Sequence, residues 1–192
     1  MNAIIKKLSP SATDMIRMDH TRVLALFHRY DIESAPGTKA GLVKAICLSL
    51  EIHARIEEEI FYSAMRSIDP GMVEKSVPEH DEMRRLMNTL RDMDPSSPQF
   101  DTTFMDLMRN VIHHVADEET RMLPDAERML GERLGELGAE MSKRRLQLGG
   151  PRAGELAINA VRGMPGYAAA AVAGVAVLAG AWAMSRRNRH PM

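Results

Sequence analysis

HARIEEEIFY (53–62) and HVADEETRML (114–123) share a histidine, a glutamate four residues on, and a second glutamate directly after it: His53, Glu57 and Glu58 in one, His114, Glu118 and Glu119 in the other. On an α-helix, residues four apart project from one face, roughly 6 Å apart along the axis. An imidazole and a carboxylate so placed reach one metal centre, or reach two adjacent ions with the carboxylate bridging. Imidazole plus carboxylate without thiolate suits iron or manganese and admits zinc.

Two further histidines extend the pattern. His20 lies four after Ile16 and seven before Phe27, and His80 three after Val77 and seven before Met87. His53 and His114 likewise stand at helical spacing from Ile46, Ile60, Leu107 and Val111, so each of four predicted helices carries one histidine on its apolar stripe. The intervals repeat. The step from His20 to His53 matches the step from His80 to His114 to within one position, and the step from His53 to His114 equals that from Glu57 to Glu118. The chain reads as two helical hairpins, each delivering one His and then a His-x3-Glu. Packed about a pseudo-twofold axis, they set four His and two Glu around a pair of ions. A lone histidine on an apolar face is more often an ordinary core residue. Four in duplicate spacing with two inward carboxylates is another matter, because burying such groups unpaired costs several kcal/mol each, on the order expected for unpaired charge.

The surrounding sequence predicts an all-α chain: an up-down-up-down four-helix bundle over 9–148 with a C-terminal helical extension. Aromatics are scarce, at 4%, while long runs mix Leu, Met, Glu and Arg without strand-like alternation. The first helix starts near Ser11 or Thr13. The second covers about 38–67, after a break at SAPGTK (34–39). The third covers about 72–93, its regular part starting near Val77 because of Pro78. The fourth covers about 100–130, with Pro124 kinking or ending it. DPG (69–71) and DPSSP (94–98) are turns. Short loops imply antiparallel neighbours. The amphipathic stretch 131–148 packs over one end of the bundle or leads away from it. The net charge of −1 gives no electrostatic basis for nucleic-acid binding. The single Cys47 excludes a disulfide framework or a Cys-rich zinc site and fits a reducing compartment. The start of the chain does not read as a signal peptide.

Other polar residues are secondary. His28 falls near the bundle end. His113 points about 100° away from His114. Glu58, Glu59, Asp117 and Glu119 read as solvated face, with the capacity to hydrogen-bond a ligating imidazole. The 16 Met residues read as core filling.

MDHTRVLALF around His20, HARIEEEIFY, PEHDEMRRLM around His80 and HHVADEETRMLP around His114 together resemble the hemerythrin-like HHE cation-binding family. The resemblance covers about residues 9–148. It implies a bundle with an oxo- or hydroxo-bridged di-iron centre, its ligands His20, His53, Glu57, His80, His114 and Glu118, with Glu57 and Glu118 bridging. Oxygen-carrying hemerythrins place two histidines one turn apart on the third helix. Here Ser76 and Arg84 stand four before and four after His80. Fewer protein ligands leave more open positions, which favours reactivity or ligand sensing over oxygen storage.

After a linker at 149–162, the stretch 163–185 contains no charge, and Arg186, Arg187 and Arg189 follow in a basic tail, 186–192. That length suffices for a bilayer core, which needs ~20 residues, and Trp182 suits the interface. The expectation is a tail-anchored protein with its bundle in the cytoplasm at the inner membrane, a soluble cytoplasmic protein being the alternative. In function, the expectation is a di-iron protein that binds or senses O2, NO or peroxide and, as a sensor, signals through a protein partner. The rivals are a di-iron enzyme consuming peroxide or NO or repairing iron centres, and a membrane-tethered scaffold whose metal only stabilises it.

Overall fold

The computed structural model describes residues 10–152. Helix α1 (Ala12–Phe27) is capped by Ser11, whose hydroxyl accepts from the Asp14 amide at 3.2 Å while the Asp14 carboxylate accepts from the Ser11 amide at 3.3 Å. This reciprocal box satisfies two amides that the first turn leaves without helical partners. Three of the predicted breaks turn out to be starts: α2 (Pro36–Ile56), α4 (Pro70–Asp92) and α5 (Pro98–Asp117) each begin on a proline. In the first turn proline gives up no helical hydrogen bond and its φ is already helical. Pro78 does not delay α4, contrary to expectation; the helix runs through it from Pro70.

The second and fourth rods each contain a wide turn. After α2, Glu57–Phe61 is π-helical and leads into α3 (Tyr62–Met65); after α5, Glu118–Met122 is π-helical and leads into α6 (Leu123–Leu130). The Tyr62 amide donates to the Glu57 carbonyl and the Leu123 amide to the Glu118 carbonyl, each five residues back. Pro124 does not account for the irregularity of the fourth rod. The wide turn there lies before it and recurs in the second rod without any proline, so it belongs to the His-x3-Glu unit.

Two apolar clusters fill the bundle. One gathers Ile16, Ile56, Phe61, Met65, Met122 and Leu123; the other gathers Val23, Leu50, Met83, Phe104, Leu107 and Val111. Each buried Leu, Ile or Phe contributes roughly 1.5–3 kcal/mol. Along the rods His20 falls between Ile16 and Val23, His53 between Leu50 and Ile56, and His114 between Val111 and Met122, which sets the polar layer where the two clusters meet.

Helix α7 (Arg133–Gly149) packs on α1 and α2 and buries Leu134, Leu137 and Met141. Gly138 allows the approach: a Cβ there would lie 2.2 Å from the Pro10 carbonyl oxygen. Among the described residues no helix is long and apolar enough to cross a membrane. The uncharged stretch 163–185, the linker beyond 152 and the basic tail lie outside them.

Candidate metal centre

His20, His53, Glu57, His80, His114 and Glu118 come from four different rods and meet in one layer. Both carboxylates are fully buried, and His53, at 8%, is the most exposed of the imidazoles. Glu57 Oε2 lies 3.1 Å from His53 Nε2 and 3.5 Å from His80 Nε2; Glu118 Oε2 lies 3.2 Å from His20 Nε2 and 3.6 Å from His114 Nε2. Each carboxylate therefore reaches from a histidine of its own hairpin to one of the other. Their donor atoms form two groups that could each hold an ion, His20, His53, Glu57 and Glu118, then Glu57, His80 and His114. Two such groups sharing a carboxylate match a pair of adjacent ions.

The electrostatics of the six groups fit a bound cation. Five buried side-chain polar atoms lack a hydrogen-bond partner among the described residues, and four are here: His20 Nε2, both Glu57 oxygens and Glu118 Oε2. Buried polar atoms are seldom left so. Burial and the neighbouring Glu118 charge push the Glu57 carboxyl well above the usual carboxylate range. Burial acts on Glu118 too, but His114, His20 and His53 outweigh it and hold that carboxyl below the usual carboxylate range. Burial pushes His53 down to about 4, against the pull of Asp19. A cation between the carboxylates would remove the repulsion that burdens Glu57 and take the unpartnered lone pairs.

The family description "Hemerythrin HHE cation binding domain" matches residues 11–126. The chain belongs to this family. Its fold is similar to that of a hemerythrin HHE cation binding domain-containing protein from Mycobacterium kansasii, with TM-score 0.65 over 77% of this chain and 92% of that one, at 21% identity. The chain is also 33% identical over 110 residues, 57% of its length, to a DNA nickase of Nostoc sp. (strain PCC 7120), of which it spans only 31%.

Around the six residues the HHE domain carries an outer ring of acids. The Nδ1 atoms of His20, His80 and His114 lie 2.8, 2.8 and 2.9 Å from Glu119, Glu58 and Glu79, and His53 Nδ1 lies 3.4 Å from Asp19. A carboxylate on Nδ1 fixes the proton there and turns the Nε2 lone pair towards the centre. Outside the acids stand cations: Arg17 on Glu119, Arg84 on Glu58, Lys75 near Glu79, and Arg145 of α7 on Asp19.

Of the flanking residues read from sequence, Glu58 and Glu119 thus do hydrogen-bond imidazoles. Glu59 instead pairs with Arg55 and Arg144. His28 is an exposed cap of α1. His113 is exposed and 3.5 Å from Asp117; with Glu79 these gather at the surface, where Lys75 already lies against Asp117.

Asp19, Glu79 and Tyr62 join the site without any expectation from sequence. The fully buried Tyr62 hydroxyl donates to Glu118 Oε1 at 2.7 Å and lies 3.4 Å from His80 Nε2, and its ring stacks on that imidazole with centroids 5.5 Å apart. Burial, reinforced by Glu57 and Glu118, pushes the phenol well above its ordinary value, so it keeps its proton.

A cavity of about 150 Å3 lies against the layer. All four imidazoles line it, with Val23, Leu50, Met83 and Val111 as walls, whereas Glu57, Glu118 and Tyr62 do not. The centre therefore has a closed carboxylate–phenol side and a histidine side facing an apolar cavity.

Proposed function

We propose that this HHE domain holds two iron ions and presents them to a small ligand, O2, NO or peroxide, as a binding or sensing protein. The observation that carries the reading is the convergence of four unpartnered buried lone-pair atoms beside a cavity lined by all four histidines. Bound iron supplies a redox-active Lewis acid with positions left open by a ligand set of only six side chains. The chain's own residues do the rest. Asp19, Glu58, Glu79 and Glu119 orient the imidazoles, the apolar walls keep bulk water away, and Tyr62 holds a proton beside Glu118.

The test is metal analysis of the full-length chain by mass spectrometry, with optical spectra in air and after azide. About two irons per chain, with charge-transfer bands that move on azide, are expected. A metal-free protein, or metal retained equally after His53→Ala and His114→Ala, would overturn the reading.

The buried Tyr62 proton favours a second reading, an enzyme that consumes peroxide or NO. Turnover separates the two, because a sensor binds stoichiometrically. A scaffold whose metal is only structural would lose folding in His53→Ala yet show no ligand reactivity in the wild type. A cavity of about 150 Å3 has no room for a DNA backbone, so the nicking activity named for the Nostoc protein forms no part of this reading. For the uncharged 163–185 segment we propose a membrane anchor that leaves the bundle in the cytoplasm. Release of the full-length chain into the soluble fraction on lysis would sink that proposal.

A further inference from the structure

The cavity on the histidine side is apolar within and cationic at its rim. Among the described residues its only exposed lining residue is Arg22, which has no ion-pair or hydrogen-bond partner there. Arg145, from α7, also lines it. Both terminal nitrogens of Arg145 are taken by Asp19, but its Nε is buried and unpartnered. Asp19, the only carboxylate in the lining among the described residues, is thereby neutralised. What remains at the entrance is the unmatched charge of Arg22, over walls that, among the described residues, offer a ligand no other polar partner than Ser49 and the imidazoles.

We propose that Arg22 makes the histidine-side cavity an anion-selecting entrance, which favours a small anion such as azide or nitrite over a neutral ligand of similar size. The inference rests on the reading of a centre open to outside ligands, and it adds small anions to the neutral ligands of that reading. The chain as a whole carries only −1, so it neither attracts nor strongly repels anions at long range. Selection has to be local, where low-dielectric walls focus the field of a rim charge. A neutral diatomic ligand gains nothing from Arg22.

The experiment is stopped-flow mixing of the iron-loaded full-length chain with azide and, separately, with NO, at low and high salt. Arg22 is exposed and unpaired, so Arg22→Ala and Arg22→Glu should fold as wild type, and Arg22→Lys serves as the conservative rescue. The expected result is a slowing of azide association of about threefold in Arg22→Ala and about tenfold in Arg22→Glu. Azide association in the wild type should also fall with salt, Arg22→Lys should restore it, and NO association should not change. Azide rates untouched by the Arg22 variants, or azide and NO slowed alike, would overturn the anion entrance while leaving the open centre standing. A wild-type spectrum that responds to neither azide nor NO would overturn both.

Discussion

The two hairpins of the domain build the same half-site and finish it differently. Each supplies a His, a His-x3-Glu and a π-turn that begins on the Glu. The acids obey the same exchange. Asp19 and Glu79, each directly before a site histidine, serve the other histidine of their own hairpin, while Glu58 and Glu119, each directly after a site glutamate, serve a histidine of the opposite hairpin. Five residues after the glutamate a fully buried position differs in chemistry, with Tyr62 in one hairpin and Leu123 in the other. Glu118 consequently accepts a hydrogen bond from Tyr62, while neither oxygen of Glu57 has one. What repeats is what a pair of cations needs. What does not repeat makes the two carboxylates unequal, one with a single oxygen hydrogen-bonded and one with neither.

If the repeated parts hold the metal, equivalent losses must be equal and large. His53→Ala and His114→Ala should each remove at least one ion and weaken the other, with metal content by mass spectrometry falling to about half or less in both. One variant keeping a full complement while its counterpart loses it would break the symmetry.

The ring of acids predicts paired losses of the next size. Asp19→Asn should resemble Glu79→Gln, and Glu58→Gln should resemble Glu119→Gln, each weakening metal binding by about 10–100-fold, the usual cost of removing a partner that orients a ligating imidazole. Chelator competition measures this. A gap of more than about tenfold within a pair would show that one hairpin dominates.

The inequality of the carboxylates sets how the metal-free protein responds to pH. His53 is held at about 4, below its ordinary 6.5. Between those values the unfolded chain takes up a proton that the folded site refuses, so this residue makes stability fall as pH drops through that window. Glu57 acts in the opposite sense. Its raised value means stability present at low pH and lost as pH climbs through the folded value. Glu57→Gln should therefore raise the melting temperature of the metal-free protein on the alkaline side and leave the acid-side loss in place. Identical melting curves across pH would show that Glu57 bears no such burden.

Much of this centre was legible because its six residues are separated by helical intervals that primary structure preserves. The i,i+4 pairs and the matching step from one hairpin to the next needed no knowledge of packing. Asp19 and Glu79 escaped notice because they act across to a neighbouring helix, and helix-to-helix reach is not encoded in spacing along one helix. A signal existed all the same: each directly precedes a site histidine, so the Asp19–His20 and Glu79–His80 pairs occupy equivalent places in the two hairpins. Tyr62 was lost for a different reason. With α-helical geometry its offset of five from Glu57 places it well round the helix from that residue. The π-turn brings the fifth residue back towards the same face, and its i→i+5 bond is a tertiary outcome that no propensity announces. The helix starts at Pro36, Pro70 and Pro98 read as breaks in the sequence because proline marks both.

The smallest expected effect bears most directly on what the unlike position does. Tyr62→Phe keeps the ring that stacks on His80 and removes only the hydroxyl that donates to Glu118. One hydrogen bond to a buried charged acceptor is at stake, so stability should fall by about 1–3 kcal/mol in the metal-free protein and by less when a cation also partners Glu118. Metal content should stay at the wild-type level, because the phenol stands outside the symmetric set. If Tyr62 is only a structural donor, the rate at which the iron-loaded protein reacts with hydrogen peroxide will not change. If its proton is used, that rate will fall while azide binding, on the histidine side of the centre, does not. Leu123→Tyr then completes the comparison: a second phenol at the equivalent position should supply Glu57 with the hydrogen bond it lacks and bring its carboxyl back down towards the ordinary range.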